Sequence, residues 1–105
     1  MYGDVIYKGR FVWNPFKNEM NRKKHNISFE QASKVFDDPF NIEEYDEEDS
    51  SYEDRYYMTG FINDDYITVF FTMRDNLIRI FSARSADGDE EGAYNENIRR
   101  YLGTE

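Results

Sequence analysis

The segment that decides the fold is Leu77-Ile78-Arg79-Ile80-Phe81-Ser82-Ala83-Arg84, the most strand-like stretch of the chain. Alternate positions form two sets, with Ile78, Ile80 and Ser82 on one side and Arg79, Phe81 and Ala83 on the other. This period of two predicts a strand with one buried face and one open face. In a chain of net charge -9, Arg79 and Arg84 on or next to this strand suggest a place where anionic groups are bound. The alternative is that both are ordinary surface arginines that pair with nearby carboxylates.

Two neighbouring segments, residues 55–62 and 66–73, also have the pattern of strands, and short polar turns separate all three. Consecutive strands joined by short turns form an antiparallel meander. The other predicted elements are a first strand over residues 5–13, a helix over 17–25, a second helix that begins with the capping box of Ser28 and Gln31, a short edge strand over 40–45, and a last helix capped by Asp87 and Glu90. The predicted fold class is therefore α+β, an antiparallel meander sheet with two short N-terminal helices and one C-terminal helix.

The length of 105 residues predicts a single domain over residues 1–105. The chain has no cysteine, which excludes disulfides and thiolate metal sites. No apolar run approaches the ~20 residues needed to span a bilayer, and the first residues lack the apolar segment of a signal peptide. We therefore expect a cytoplasmic protein that does not associate with a membrane.

The charge is unevenly distributed along the chain. Residues 1–36 hold seven Lys or Arg and three carboxylates, residues 37–66 hold twelve carboxylates and Arg55 alone, and residues 67–105 hold five Arg and seven carboxylates. Attraction of the whole protein to nucleic acid is disfavoured by this net charge, while a local basic cleft is compatible with it. The acidic middle block fits a basic partner protein.

The run over residues 46–54 has the charges of a cation site but not the spacing of an EF-hand loop, because no glycine lies at the sharp turn. A solvated loop is the favoured interpretation, and we expect no metal. In the predicted helix over 17–25, one face carries Lys17, Asn21, Lys24 and His25. This basic face is either a solvated helix surface or part of a binding site.

The spacing of many residues resembles a known family. The residues that carry the likeness are Trp13-Asn14-Pro15-Phe16-Lys17, Asn21, Lys24-His25-Asn26-Ile27-Ser28-Phe29-Glu30-Gln31-Ala32, Val35-Phe36-Asp37-Asp38-Pro39, Glu53, Arg55, Gly60, Thr72, Arg74, residues 78–84, Ala86, Glu90 and Tyr94. Together they resemble the BrnT family of ribonuclease toxins from type II toxin–antitoxin systems. The likeness extends over nearly the whole chain.

This resemblance implies a RelE-like fold and an RNA substrate that is cleaved without a metal or other cofactor. It also implies neutralisation by a BrnA-like antitoxin that carries a ribbon-helix-helix domain. DNA would then be contacted only indirectly, through the antitoxin.

Cleavage of RNA without a metal requires a base for the 2′-hydroxyl, cations for the phosphate and an acid for the leaving oxygen. Arg84 and Arg55 are the best candidates for the phosphate clamp, because a guanidinium fork matches phosphate oxygens and keeps its charge. Arg79 and Arg74 are second choices as RNA-binding residues. Glu53 is a candidate base, provided that the fold brings it near Arg55.

His25 is the single histidine and titrates near neutral pH when unperturbed, which makes it a candidate catalytic group. Lys24 shares its predicted helix face as a second catalytic candidate, and Lys17 as an RNA-binding one. Trp13 and Tyr94 are candidates for stacking on a base, although aromatic side chains in such positions commonly belong to the core.

Residues 87–93 depart from the family pattern, which is rich in arginine and lysine there, because this chain has Asp87-Gly88-Asp89-Glu90-Glu91-Gly92-Ala93. An RNA phosphate close to this segment meets carboxylates within a Debye length of ~8 Å. Asn14 also replaces the usual aspartate. Two functions are favoured: an active endoribonuclease toxin, and a catalytically weakened or inactive protein of the same fold that binds a partner, for example as a co-repressor. A third, a free-standing binder of a metal or small molecule, is weak because no constellation of ligand residues supports it.

Overall fold

The computed structural model describes residues 5–48, 50 and 52–103. These residues form an α+β domain with a six-stranded sheet of order β1-β2-β6-β5-β4-β3. The elements in chain order are β1 (Ile6–Lys8), β2 (Phe11–Trp13), α1 (Pro15–His25), α2 (Phe29–Ser33) followed by a 3-10 turn (Lys34–Asp37), β3 (Ile42–Tyr45), β4 (Tyr56–Ile62), β5 (Asp65–Arg74), β6 (Leu77–Ser85) and α3 (Gly88–Leu102). Within the described residues, no helix is long and apolar enough to cross a membrane.

The predicted meander is present, since β5 pairs antiparallel with both β4 and β6. The prediction of a purely antiparallel sheet was wrong. The sheet is mixed, because β2 runs parallel to β6 with Phe11 opposite Ile78. Two helices and three strands lie between β2 and β6 in the chain, and this long connection allows β2 to lie parallel to β6.

The predicted strand over residues 5–13 is in fact a hairpin of β1 and β2. Gly9 has φ 60 at the first position of the two-residue turn, a conformation that glycine adopts without steric cost. The first helix begins at Pro15, two residues before the predicted start. The side-chain oxygen of Asn14 accepts hydrogen bonds from the N–H groups of Phe16 and Lys17, and proline is well suited to the first helical position. The second helix has only five residues before it tightens into the 3-10 turn.

The core lies between one face of the sheet and the segment that contains α2 and the 3-10 turn. Its buried apolar side chains are Trp13, Ile27, Phe29, Ala32, Val35, Met58, Ile67, Val69, Phe71, Ile78, Ile80 and Ala83. We call this face the core face and the opposite one the open face. The open face is covered in part by α3, which contacts β3 and β4.

A β-bulge interrupts the alternation of β6. Phe70 pairs with Ser82 and the next residue, Phe71, pairs with Ile80, so that Phe81 is an extra residue in β6. The bulge reverses the phase of the strand beyond it. Ala83 therefore joins Ile78 and Ile80 on the core face, whereas uninterrupted alternation predicted it on the other side.

Asn21 of α1 completes the edge of β6 where β2 ends. Its side-chain oxygen accepts from the N–H of Ala83 at 3.1 Å, and its amide nitrogen donates to the carbonyls of Ala83 and Ile27, both at 2.9 Å. Asn21 is buried. Its amide satisfies backbone groups that a neighbouring strand would otherwise pair.

We predict that Asn21→Ala destabilises the fold by about 3 kcal/mol, because it leaves three buried backbone groups without partners. Denaturant unfolding followed by the fluorescence of the buried Trp13 measures this change. Asn97→Ala is the control, since Asn97 makes a single bond to the carbonyl of Phe40 in a half-buried position. Equal destabilisation by the two variants would contradict the role assigned to Asn21.

Gly60 permits a close approach between β4 and Asp38. A Cβ atom on Gly60 would lie 2.9 Å from Val35 Cγ1 and 3.1 Å from Asp38 Oδ2. The close approach allows two hydrogen bonds to Asp38, because the same Oδ2 accepts from the N–H of Phe61 at 2.8 Å and from the hydroxyl of Tyr94 at 2.6 Å. The buried carboxylate thus joins β4 to α3.

We predict that Gly60→Ala lowers the free energy of unfolding by about 1–3 kcal/mol, because the added methyl group must displace Val35 or Asp38. Gly92→Ala is the matched variant. A Cβ on Gly92 meets nothing within 4 Å, and alanine in a helix is favoured over glycine by about 0.5–1 kcal/mol. Opposite signs in denaturant unfolding are expected, and a stabilising Gly60→Ala would refute the steric argument.

Candidate functional site

Two arginines and two phenylalanines form a row on the open face, which we call the arginine–phenylalanine cluster. The guanidinium carbon of Arg55 lies 4.4 Å from the ring centroid of Phe81, and that of Arg84 lies 5.1 Å from the ring centroid of Phe70. The two phenyl rings are 6.5 Å apart between centroids. The structure therefore brings Arg55 and Arg84, the two predicted clamp residues, onto one face of the sheet.

The bulge at Phe81 is the reason for this convergence. In an uninterrupted strand, Arg84 and Ile80 would lie on the same face, and Ile80 is part of the core. Because Phe81 adds one residue, Arg84 instead lies on the open face with its neighbour across the pair, Thr68. The side chains of Arg55 and Arg84 are 37% and 34% exposed, so both guanidinium groups are partly accessible to solvent.

Arg84 is held by the carboxylate of Glu90 in the first turn of α3. Its Nη1 donates to Glu90 Oε1 at 2.8 Å and its Nη2 donates to Oε2 at 3.0 Å, a bidentate pair. Nη1 also donates to the carbonyl of Ser85. The hydrogen bond to Glu90 raises the pKa of Arg84 despite the opposing effect of burial.

Glu90 makes three kinds of contact. Besides Arg84, its Oε1 accepts from the hydroxyl of Thr68 and from the N–H of Asp87, which completes a capping box. The side chain is only 12% exposed. Burial raises the pKa of Glu90, but the hydrogen bonds from Arg84, Asp87 and Thr68 outweigh it, so the pKa lies below its ordinary value. Glu90 is therefore ionised at neutral pH and occupies the fork of Arg84.

A cavity of about 540 Å³ opens beside this pair. It is lined by Tyr45, Asp46, Glu47, Glu48, Tyr57, Phe70, Arg84 and Glu90. Asp49 and Ser51 of the acidic run over residues 46–54 lie outside the described residues. The lining combines aromatic rings with an excess of carboxylates, which repels a phosphate.

Glu53 lies between two arginines, as required for the candidate base. Its Oε2 is 3.9 Å from Arg55 Nη2, and its Oε1 is 3.3 Å from Arg74 Nη2. The contact with Arg55 is long, so the guanidinium of Arg55 is only loosely paired. Arg79 lies on the open face opposite Thr72, and no ion pair joins it to a carboxylate in the part of the chain that the structure describes.

The predicted basic face of α1 lies along β6. Asn21, which belongs to that face, bonds to Ala83, the residue before Arg84. Lys17 and Lys24 flank Asn21 and are exposed, while His25 is half-buried in the last turn. This face is therefore part of an interface with the sheet and not an entirely solvated surface.

Trp13 and Tyr94, predicted as stacking residues, lie in the interior. Trp13 is 1% exposed and packs edge-on against Phe29, and Tyr94 is 4% exposed. Burial and the carboxylate of Asp38 raise the pKa of Tyr94 above its ordinary value. In this structure neither ring is accessible to a nucleotide base. Phe70 and Phe81 are partly exposed rings of the open face. The alternation of β6 placed Phe81 on the same side as Arg79, whereas nothing in the sequence singled out Phe70.

Most of the chain matches a known protein family. A family model described as the ribonuclease toxin, BrnT, of type II toxin-antitoxin system matches residues 13–90. The chain belongs to the BrnT family. The segment that matches contains the whole arginine–phenylalanine cluster and ends at Glu90, the partner of Arg84.

Membership of the BrnT family implies a ribonuclease toxin of a toxin–antitoxin system. No curated protein sequence matches the chain. Among the described residues, no group of three or more histidine, aspartate or glutamate side chains is arranged to hold a metal ion.

We predict that Glu90→Gln destabilises this BrnT-family chain by about 2 kcal/mol at pH 7, because it removes the charge that holds Arg84 in a partly buried pair. Since the pKa of Glu90 is lowered from its ordinary value of 4.5, this stabilisation is present above that pH and is lost as the pH falls through the lowered pKa. Unfolding midpoints at several pH values should therefore converge between the wild type and the variant in acid.

Glu96→Gln is the control for this experiment, because Glu96 also pairs with an arginine of α3, Arg99, but in an exposed position. The control is expected to leave the unfolding midpoint unchanged at pH 7. A difference between wild type and Glu90→Gln that does not depend on pH would contradict the assigned ion pair.

Proposed function

We propose that this chain is a metal-independent endoribonuclease toxin with a RelE-like fold, and that it holds RNA on the arginine–phenylalanine cluster. The observation that supports this proposal is the placement of Arg55, Phe81, Phe70 and Arg84 in one row of contacts on the open face. Guanidinium groups bind phosphates, and phenyl rings stack on unpaired bases. A site for single-stranded RNA combines guanidinium groups with aromatic rings, because such RNA presents phosphates and unpaired bases together.

The chemistry follows from the residues around Arg55. A base removes the proton of a ribose 2′-hydroxyl, whose oxygen attacks the adjacent phosphorus while an acid protonates the leaving 5′-oxygen. Glu53 is the proposed base, because its carboxylate lies beside Arg55. Arg55 is the proposed clamp for the charge that develops on the phosphate, since its own pairing with Glu53 is loose.

The remaining candidates have proposed roles in binding and proton transfer. Arg74 and Arg79 extend the positive charge along the open face and bind flanking phosphates. His25 is the proposed acid, with Lys24 and Lys17 as additional cations along α1, and Asn21 places their helix face beside β6. Arg84 binds RNA if a phosphate displaces the carboxylate of Glu90 from its guanidinium group. Otherwise Arg84 positions Phe70 and the adjacent backbone without contacting RNA.

The proposed partner that neutralises the toxin is a BrnA-like antitoxin with a ribbon-helix-helix domain. Through that antitoxin, and only through it, the pair would contact DNA. We place both proteins in the cytoplasm, where RNA is available as substrate.

A second candidate function is a BrnT-family protein that binds a partner, for example as a co-repressor, with weak or no catalysis. The bidentate pair of Arg84 and Glu90 supports this alternative, because it withdraws one of the two clamp arginines from phosphate. The carboxylates around the adjacent cavity support it further. The two functions differ in whether the purified protein cleaves RNA.

We predict that the purified wild-type protein cleaves single-stranded RNA in the presence of EDTA at low salt, and that Arg55→Ala lowers the rate by about 10²-fold or more. Gel analysis of a labelled RNA measures the rate. Arg10→Ala is the matched control, because Arg10 also contacts a phenyl ring and one carboxylate, but lies in the turn between β1 and β2.

The control is expected to cleave at the wild-type rate. Intact RNA after incubation with the folded wild-type protein would exclude the ribonuclease and favour the partner-binding function. Equal losses in Arg55→Ala and Arg10→Ala would exclude Arg55 as the clamp.

A further inference from the structure

A groove runs along the open face between β3, β4 and the first turn of α3. It consists of the cavity of about 540 Å³ beside Arg84 and a second cavity of about 200 Å³, which share Tyr57 and Glu90 in their linings. The second cavity is lined by Ile42, Glu44, Tyr57, Thr59, Asp89, Glu90 and Ala93. We call the two together the acidic groove.

The charge of the acidic groove is strongly negative. Its linings contain the carboxylates of Glu44, Asp46, Glu47, Glu48, Asp89 and Glu90. Arg84 is the one cationic side chain in these two linings, and Glu90 already neutralises it. The phenol of Tyr57 responds to this field, since burial and then the carboxylates of Glu44 and Glu90 raise its pKa.

The floor of the acidic groove is aromatic. The rings of Tyr57 and Phe70 are 5.7 Å apart between centroids, and Tyr45 lines the outer end. Phe70 already carries a guanidinium on its ring, that of Arg84. Aromatic faces with carboxylates around them are suited to an arginine or lysine side chain, which combines an apolar stem with a cationic end.

The groove adjoins an open strand edge. β3 is the last strand of the sheet, so one side of its backbone has no strand partner among the described residues. Ile42 and Glu44 pair with Thr59 and Tyr57, and their side chains line the groove. An extended segment added to β3 would therefore place alternate side chains next to Glu44, above the same groove.

We propose that the acidic groove binds a basic, extended segment of a partner protein, which pairs with β3 and inserts an arginine or lysine side chain between Tyr57, Phe70 and the carboxylates of Glu47 and Glu48. The charge complementarity of the groove favours this occupant over RNA, whose phosphates the same carboxylates repel. The identification of this partner as the antitoxin rests on the proposed function, whereas the binding of a basic segment in the groove does not.

Occupation of the groove has a direct effect on the arginine–phenylalanine cluster. Phe70 and Arg84 belong to both, so a bound segment covers one half of the surface proposed for RNA. A partner that binds there would compete with RNA without touching Arg55.

The experiment uses a fluorescein-labelled peptide of alternating arginine and valine, six residues long, and a matched peptide of alternating glutamine and valine. Fluorescence anisotropy at 0.15 M salt measures binding to the full chain in the absence of RNA. We expect the arginine peptide to bind and the glutamine peptide to bind at least tenfold more weakly. The double variant Glu47→Gln, Glu48→Gln should bind the arginine peptide about tenfold more weakly than the wild type.

The control is the double variant Glu19→Gln, Glu96→Gln, which loses the same charge from exposed carboxylates on α1 and α3. It should bind within twofold of the wild type. An equal loss in the control would show attraction by net charge alone and overturn the proposal, as would equal binding of the two peptides or no binding. The binding assay contains no RNA, so it tests the groove separately from catalysis. If the protein binds the peptide but does not cleave RNA, the proposal for the acidic groove is retained and the proposed ribonuclease activity is refuted.

Discussion

The extra residue in β6 is the constraint on which the arrangement of the open face depends. A strand exchanges the faces of its side chains when one residue is added, so Phe81 determines that Ala83 enters the core and that Arg84 faces outward. Beyond Arg79 the edge of β6 is no longer paired with β2, and the buried amide of Asn21 bonds to the backbone of Ala83 there. The contact of α1 with β6 therefore depends on where β2 ends, whereas the outward orientation of Arg84 depends on the bulge.

Glu90 connects this arrangement to the C-terminal helix. Its carboxylate caps the first turn of α3, accepts from Thr68 and pairs with Arg84, so it contributes to stability in three ways. Thr68 in turn shares a hydrogen bond with Thr59 on β4, which extends the network into the sheet. The same contact withholds the fork of Arg84 from anions. In this BrnT-family chain, one interaction thus stabilises the fold and reduces the positive charge available on the open face.

The open face is divided by charge. Toward Glu53 it carries Arg55, Arg74 and Arg79, whereas toward α3 it carries the carboxylates of the acidic groove. Charges of opposite sign close together on one surface attract different ligands at short range, although the net charge of -9 disfavours nucleic acid at long range. This division is consistent with the two proposals, RNA on the arginine-rich part of the face and a basic partner segment in the acidic groove.

The sequence by itself determined the α+β class, the meander, the caps of α2 and α3 and the family, because alternation, capping residues and motif spacing are local properties of the chain. It did not determine the hairpin at Gly9, because the alternation over residues 5–13 continues through the turn. The parallel pairing of β2 with β6 and the bulge at Phe81 depend on partners distant in sequence. For the candidate site, the sequence indicated Arg55 and Arg84, but the pairing of Arg84 with Glu90 and the burial of Trp13 and Tyr94 were decided only by tertiary structure. The physical reason is that neighbours in space, and not in sequence, decide whether a charged group is paired and whether an aromatic ring is buried.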